Sequence, residues 1–227
     1  MAASMPVRAV LMDLDGTLLD TVLDLHQAAN AMLRDLGRPE VALEDIRAYV
    51  GRGIGNLVKR ILAGRLEAAD DPAPPPAAAF DSFKRHYAES NGRCSRAFPG
   101  VMDGLRALKA KGLPLGVITN KARVFAEPLL DRTGLAPFLD VAVCGDQLPR
   151  PKPDPMPVIW ACGRLAVSPA DALMVGDSVH DFTAGRAAGC RVVLVPYGYN
   201  EGRDVRSLDA DAIVTSLLDV AALIETA

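Results

Sequence analysis

The stretch "AVLMDLDGTLLDT", Ala9–Thr21, sets Asp13 and Asp15 two residues apart at the end of an apolar run. In an extended chain, residues i and i+2 point to the same side. The two carboxylates therefore face one ligand if the strand persists that far. Like charges so close repel, and neither is cheap to bury. Gly16, directly after them, permits a tight backbone departure. Other apolar runs stop on residues of related chemistry. "VITN" ends on Thr119 and Asn120, "PRPKPDP" holds Lys152 between Pro151 and Pro153, and "VGDSVHD" supplies Asp177, Ser178 and Asp181. Alone, an Asp after a strand is an ordinary turn residue and a loop lysine is ordinarily solvated. Recurring at successive strand ends, they suit phosphoryl transfer. Asp13, Asp15 and Asp177 are hard oxygen ligands for Mg²⁺, and the cation lets them stay ionised together. Thr119 and Lys152 match phosphoryl oxygens, which leaves one Asp free to attack phosphorus.

Positioning such groups takes an ordered set of strands. Val7–Met12, Leu113–Thr119, Val141–Cys144, Ala172–Asp177, Arg191–Pro196 and Asp211–Val214 are short and almost continuously apolar. That pattern marks strands covered on both faces, as in a parallel sheet. Helical stretches separate most of them, such as "VMDGLRALKAKG" with Val101, Leu105 and Leu108 on one face. The alternation predicts an open α/β sheet, whose ligands bind outside the carboxyl ends of the strands. From Asp20 to Cys94 no strand is evident. "LDLHQAANAMLRDLG" puts Leu25, Ala28, Ala29, Met32 and Leu36 on one helical face, "LEDIRAYVGRGIGNLVKRILAGRL" reads as two helices around a glycine-rich turn, and Asp71–Phe80 reads as a Pro/Ala connector before another helix. The expected division is a core of residues 1–19 and 95–227 with an inserted helical cap of residues 20–94.

Composition narrows the partners. The chain has 227 residues, half of them apolar, and a net charge of −3. That suffices for one core plus a small insert, and the absence of a basic bias argues against nucleic acid. No apolar run approaches the length of a membrane span, and "MAASMPVRAV" lacks the features of a secretory leader. Cys94, Cys144, Cys162 and Cys190 are scattered, with no CxxC pair. They read as free thiols in a reducing, cytoplasmic setting. A monomer or homodimer acting on a small phosphorylated metabolite is expected.

In order, "DLDGTLLD", "VITN", "KPDP" and "VGDSVHD" resemble the four motifs of the haloacid dehalogenase superfamily. The resemblance spans nearly the whole chain and implies a Rossmann-like core with a helical cap after the first motif. It implies Asp13 as the nucleophile that becomes an aspartyl-phosphate. Asp15 would be the acid that protonates the leaving alcohol and then the base that activates water. Thr119, the Asn120 backbone and Lys152 would hold the phosphoryl group. Asp13, the Asp15 carbonyl and Asp177 would bind Mg²⁺, supported by Ser178 and Asp181. Asp15 and Asp177 exclude a true dehalogenase, which needs neither the second Asp nor Mg²⁺, and Asp15 excludes a phosphonoacetaldehyde hydrolase.

"YVGRGIGNLVKRIL", "FPGV" and "YGYNEG" further resemble the phosphoglycolate phosphatases of bacteria. That resemblance implies 2-phosphoglycolate as substrate, with Arg52 meeting the substrate carboxylate, both of whose oxygens a guanidinium can bind. Arg52, Asn120 and Gly16 are the substrate-binding positions expected. The alternatives are a phosphatase of a sugar phosphate such as N-acetylmuramic acid 6-phosphate, a phosphosugar mutase, or a non-catalytic binding module on the same fold. His26 falls one position late for the cap histidine usual in mutases.

Overall fold

A computed structural model of the chain describes residues 5–226. Met1–Ser4, the start of the stretch read as carrying no leader, lie outside the described residues. The chain runs β1 (Met5–Val7), β2 (Ala9–Met12), β3 (Leu19–Asp20), α1 (Val22–Asp35), α2 (Leu43–Tyr49), α3 (Gly53–Ala63), α4 (Ala77–Ser90), β4 (Arg96–Ala97) and α5 (Val101–Ala110). It continues through β5 (Leu115–Ile118), α6 (Arg123–Arg132), β6 (Val141–Val143), α7 (Met156–Arg164), β7 (Ala172–Gly176), α8 (Val179–Ala188), β8 (Arg191–Leu194), β9 (Ala212–Ile213), α9 (Leu217–Leu223) and β10 (Ile224–Thr226).

The central sheet has the order β6-β5-β2-β7-β8-β9, with every neighbouring pair parallel. Alternate residues of β2 feed opposite layers. Val10 and Met12 pack with Leu105 of α5 and Val220 of α9, while Leu11 packs with Val158 of α7 and Ala184 of α8. Both faces are covered, which is why these strands read as unbroken apolar runs. Because β2, β5, β6 and β7 are parallel, the segments that follow them emerge at one edge: Asp13, Thr119, the loop holding Lys152, and Asp177. Among the described residues no helix is long and apolar enough to cross a membrane.

The expected run Val7–Met12 is divided. It breaks at Arg8, and Met5–Val7 pairs in parallel with Ile224–Thr226 instead of entering the main sheet. Its partner lies at the other end of the chain, so nothing local signals the pairing. Leu36 also departs from expectation. It caps α1 and is exposed, and Leu33 takes the buried place. The connector is shorter than read, since Ala77–Phe80 already belong to α4.

Helices α1–α4 form a unit with its own apolar core, including Leu25, Met32, Ile46, Val58, Phe83 and Tyr87. The chain enters and leaves it through β3 and β4, which pair antiparallel, Leu19 with Ala97 and Asp20 with Arg96. Asp24, in the first turn of α1, fastens the exit strand. It is fully buried and accepts the backbone N–H groups of Gly92 (2.9 Å), Cys94 (2.8 Å) and Ser95 (3.0 Å), and the Ser95 hydroxyl. Removing the carboxylate strands these donors away from water, and a buried unpaired donor costs about 1–3 kcal/mol. Asp24→Ala should therefore cost about 3 kcal/mol, or a fall of about 6–12 °C in Tm for a chain of this size. A thermal unfolding scan checks this; a fall of about 2 °C or less would deny the anchoring role.

Candidate active site

Asp13 leaves β2 with its backbone N–H still donating to the Val175 carbonyl of β7 at 3.0 Å, so the sheet holds its position. One of its oxygens lies 2.7 Å from Lys152 Nζ. The same ammonium lies 2.6 Å from Asp181 Oδ1 and is buried. The other Asp181 oxygen accepts the Ser178 hydroxyl (2.7 Å) and the backbone N–H groups of Ser178 (3.1 Å) and Asp177 (3.2 Å). Ser178 and Asp181 thus form the capping box of α8. The side chain that fixes Lys152 also starts the helix. Asp177 is buried, with its oxygens accepting the Thr17 hydroxyl (2.6 Å) and the Tyr199 backbone N–H.

Gly16 explains how Asp177 fits. Its φ is +94°, a left-handed conformation, and a Cβ there would lie 2.2 Å from Asp177 Oδ2. It lies against the Asp177 carboxylate and is not among the residues that line the cavity. Nor is Arg52 among them. Its Nη1 is 2.7 Å from Asp70 and its Nε 3.7 Å from Glu201, so the side chain is engaged away from the cavity. In its place the glycine-rich turn itself, through Gly51 and Gly53, meets the site.

The carboxylates of Asp13, Asp177 and Asp181 each offer an oxygen within 4.8 Å of the others. Asp13 and Asp181 share the Lys152 ammonium, and Asp177 joins their cluster with no ammonium of its own. Burial is the main force raising Asp13, to about 7; Lys152 pulls against it, and the charges of Asp181 and Asp15 push with it. Asp177 is raised well above the carboxylate range, by burial first and then by Asp181 and Asp13. The cluster is short of positive charge and rich in hard oxygen. That donor set fits a divalent metal ion.

Asp15 stands apart from this cluster. Its two oxygens lie 2.8 and 3.0 Å from Lys121 Nζ, and one accepts the Thr21 hydroxyl at 2.6 Å. Lys121 was not singled out from the sequence. The only signal was its place directly after "VITN"; no periodicity governs where a loop side chain turns. The Thr119 hydroxyl accepts the Lys121 backbone N–H at 3.1 Å, which sets that turn. Asn120 donates from its amide to the carbonyls of Lys152 (3.0 Å) and Gly51 (3.1 Å), joining the site to the helical unit. A small cavity lies between core and helical unit. Asp13, Asp15, Thr119, Asn120 and Lys121 line one side, and Leu25, Val50, Ile54 and Leu57 give the other an apolar wall.

Tyr197 and Tyr199, beyond β8, do not touch the cavity. Tyr199 Oη accepts the backbone N–H groups of Thr21 (2.7 Å) and Val22 (3.0 Å) and donates to Asp20. Tyr197 Oη donates to the Thr17 carbonyl at 2.9 Å. This loop clamps the entry to the helical unit. His180 is buried against Glu201, 3.4 Å away.

A bound divalent ion would remove the penalty of ionising Asp13 and Asp177 together. An acid raised in the fold destabilises the ion-free protein as pH climbs from the usual carboxylate value of 3.8 towards about 7. Ion binding should reverse this most where the acids must be charged. Saturating MgCl₂ should raise Tm by about 5–10 °C at neutral to alkaline pH, given that a hundredfold excess over Kd contributes about 2.7 kcal/mol. The gain should be much smaller near pH 5. Thermal scans across pH test this, and a gain independent of pH would place the ion elsewhere.

Residues 10–195 match the haloacid dehalogenase-like hydrolase family. The chain is 49% identical over 98% of its length to a phosphoglycolate phosphatase of Thiobacillus denitrificans, with 98% of that protein covered. It is 50% identical over 97% of both chains to one of Nitrosospira multiformis. A crystal structure from Haemophilus somnus, described as a predicted phosphoglycolate phosphatase, superposes with a TM-score of 0.86 at 31% identity, covering 96% of this chain and 98% of that one. The chain therefore belongs to the haloacid dehalogenase-like hydrolase family, as an enzyme similar to the phosphoglycolate phosphatases.

Proposed function

We propose that the chain is a cytoplasmic, Mg²⁺-dependent phosphomonoester hydrolase that works through an aspartyl-phosphate, with 2-phosphoglycolate as its substrate and residues 20–94 as its cap. The observation that carries the chemistry is the cluster of Asp13, Asp177 and Asp181, with Lys152 paired to Asp13 and Asp181, and Asp13 itself lining the cavity. The substrate rests on the near-50% identity over almost the whole chain to enzymes named for it.

Asp13 and Asp177, with the Asp15 carbonyl, would hold Mg²⁺, which when bound screens the charge of phosphate and carboxylates. Asp13 attacks phosphorus, and the P–O bond to the substrate alcohol breaks. The electron pair passes to the leaving oxygen, which takes a proton from Asp15. Lys152 and the Thr119 hydroxyl hold the phosphoryl oxygens as charge shifts. Water then attacks phosphorus and gives its proton to Asp15, and the bond to Asp13 breaks to restore the carboxylate. The apolar wall limits access of other water and favours a small substrate.

The test is a panel of phosphate esters assayed for released phosphate, with MgCl₂ and with EDTA. The expected ranking by kcat/KM has 2-phosphoglycolate first, above N-acetylmuramic acid 6-phosphate and p-nitrophenyl phosphate, with turnover lost in EDTA. A sugar phosphate at the top would reassign the substrate, and isomerisation without phosphate release would make the enzyme a mutase. Asp13→Asn should lower kcat by at least about 10⁴-fold. A near-normal rate in that variant would remove Asp13 as the nucleophile.

A further inference from the structure

Lys121 is buried, its side chain 3% exposed, and it lines the cavity. Burying an ammonium is costly unless its partner is close and well placed. Among the described residues its one hydrogen-bonding side-chain partner is Asp15, gripped through both oxygens at 2.8 and 3.0 Å. The far side of Lys121 faces the helical unit. Its Nζ lies 5.1 Å from the ring centre of Tyr87 on α4, within the range of a cation–π contact. Tyr87 is fully buried, and its hydroxyl finds no hydrogen-bond partner among the described residues. The ring is in turn held against Phe125 of α6, at 4.9 Å between centroids. Lys121 is thus confined between an acid of the core and an aromatic ring of the helical unit. Burial works against its charge, but Asp15 outweighs it and holds the ammonium above its ordinary range.

We propose that Lys121 is a positioning residue for Asp15, holding its carboxyl group where the leaving oxygen departs, and that Tyr87 makes this placement depend on the docked helical unit. The proposal rests on the phosphatase reading above. Asp13 and Asp15 face an anionic phosphate, and Lys152 is already shared by Asp13 and Asp181. Without Lys121, Asp15 keeps only the Thr21 hydroxyl as a side-chain donor and is free to turn from the site. Asp13 and Lys152 are untouched by that loss. The defect should therefore fall on proton delivery and leave nucleophilic attack intact.

Leaving groups separate the two. An alkyl ester such as 2-phosphoglycolate needs a proton on its departing oxygen, and p-nitrophenyl phosphate does not. Single-turnover release of the alcohol or phenol would be followed with Mg²⁺ for the wild type, Lys121→Met, Lys121→Arg, Asp15→Asn and the Asp15→Asn/Lys121→Met double variant. Lys121→Met should slow release from the alkyl ester by about 100-fold or more, as for a misplaced general acid, and from the aryl ester by less than about tenfold. Lys121→Arg keeps the charge and should show the same skew, more weakly; it decides the question if Lys121→Met does not fold. The double variant should be no slower on the alkyl ester than Asp15→Asn, because the two side chains act as one unit. Equal losses on both esters would reduce Lys121 to a structural ion pair, and no loss would remove it from the reaction. A wild type that releases neither alcohol nor phenol would overturn the phosphatase reading itself, a result independent of the variants.

Discussion

Lys152 lies within 2.7 Å of Asp13 and 2.6 Å of Asp181, with Asp177 in the same cluster. One ammonium cannot balance three acids so close together, two of them buried, and the site is built around that shortage. A buried carboxylate without compensation is among the most costly groups a fold can contain. Every nearby donor is therefore used. The capping box of α8 serves Asp181, and Thr17 and the Tyr199 backbone serve Asp177. Gly16 gives up its side chain so that Asp177 can lie against the loop. Charge left unbalanced after this is what makes the site receptive to a metal ion. The elements that limit the cost of the carboxylates are the same ones that aim them.

The loop after β8 carries this constraint outward. The Tyr199 backbone holds Asp177, while its hydroxyl meets the start of α1. Two residues on, Glu201 reaches Arg60 of α3 at 2.6 Å. Burial alone would raise Glu201, but hydrogen bonds from His180 and Arg60 outweigh it and hold the acid at about 2. Glu201 has a φ of +54°, a conformation disfavoured for a residue with a Cβ. The strain is offset by Arg60, whose remaining donors meet the Leu66 and Tyr49 carbonyls. Arg60 is buried, and of its three hydrogen bonds the one to Glu201 ties α3 to the core loop and not to the cavity.

The parts of the site legible in the sequence were those fixed by the backbone. Strands covered on both faces must be apolar throughout, and a parallel sheet must present its carboxyl ends together. Asp13, Thr119, Lys152 and Asp177 could thus be placed near one another from their positions after apolar runs. Side chains leaving turns and loops were not legible, because no period governs them. Lys121 adjoins a motif yet turns back to Asp15, and Arg52 lies in the expected turn yet points to Asp70 and Glu201. The division of the first strand was hidden for a different reason, since β1 owes its pairing to residues more than two hundred positions away.

Three of the polar contacts between the helical unit or its entry strand and the core bear directly on the site. Asn120 bridges Gly51 to Lys152, Tyr199 bridges the entry strand to Asp177, and Lys121 lies between Tyr87 and Asp15. Each pairs a group of the helical unit, or of its entry strand, with a side chain or backbone that orients a site residue. Apolar contact alone would dock the unit, because burial is non-directional. Directional contacts add dependence on register: a small displacement of α1, α3 or α4 disturbs a hydrogen bond or cation–π contact that also places a carboxylate or the lysine loop. The placement of the site residues therefore depends on the register of the two units.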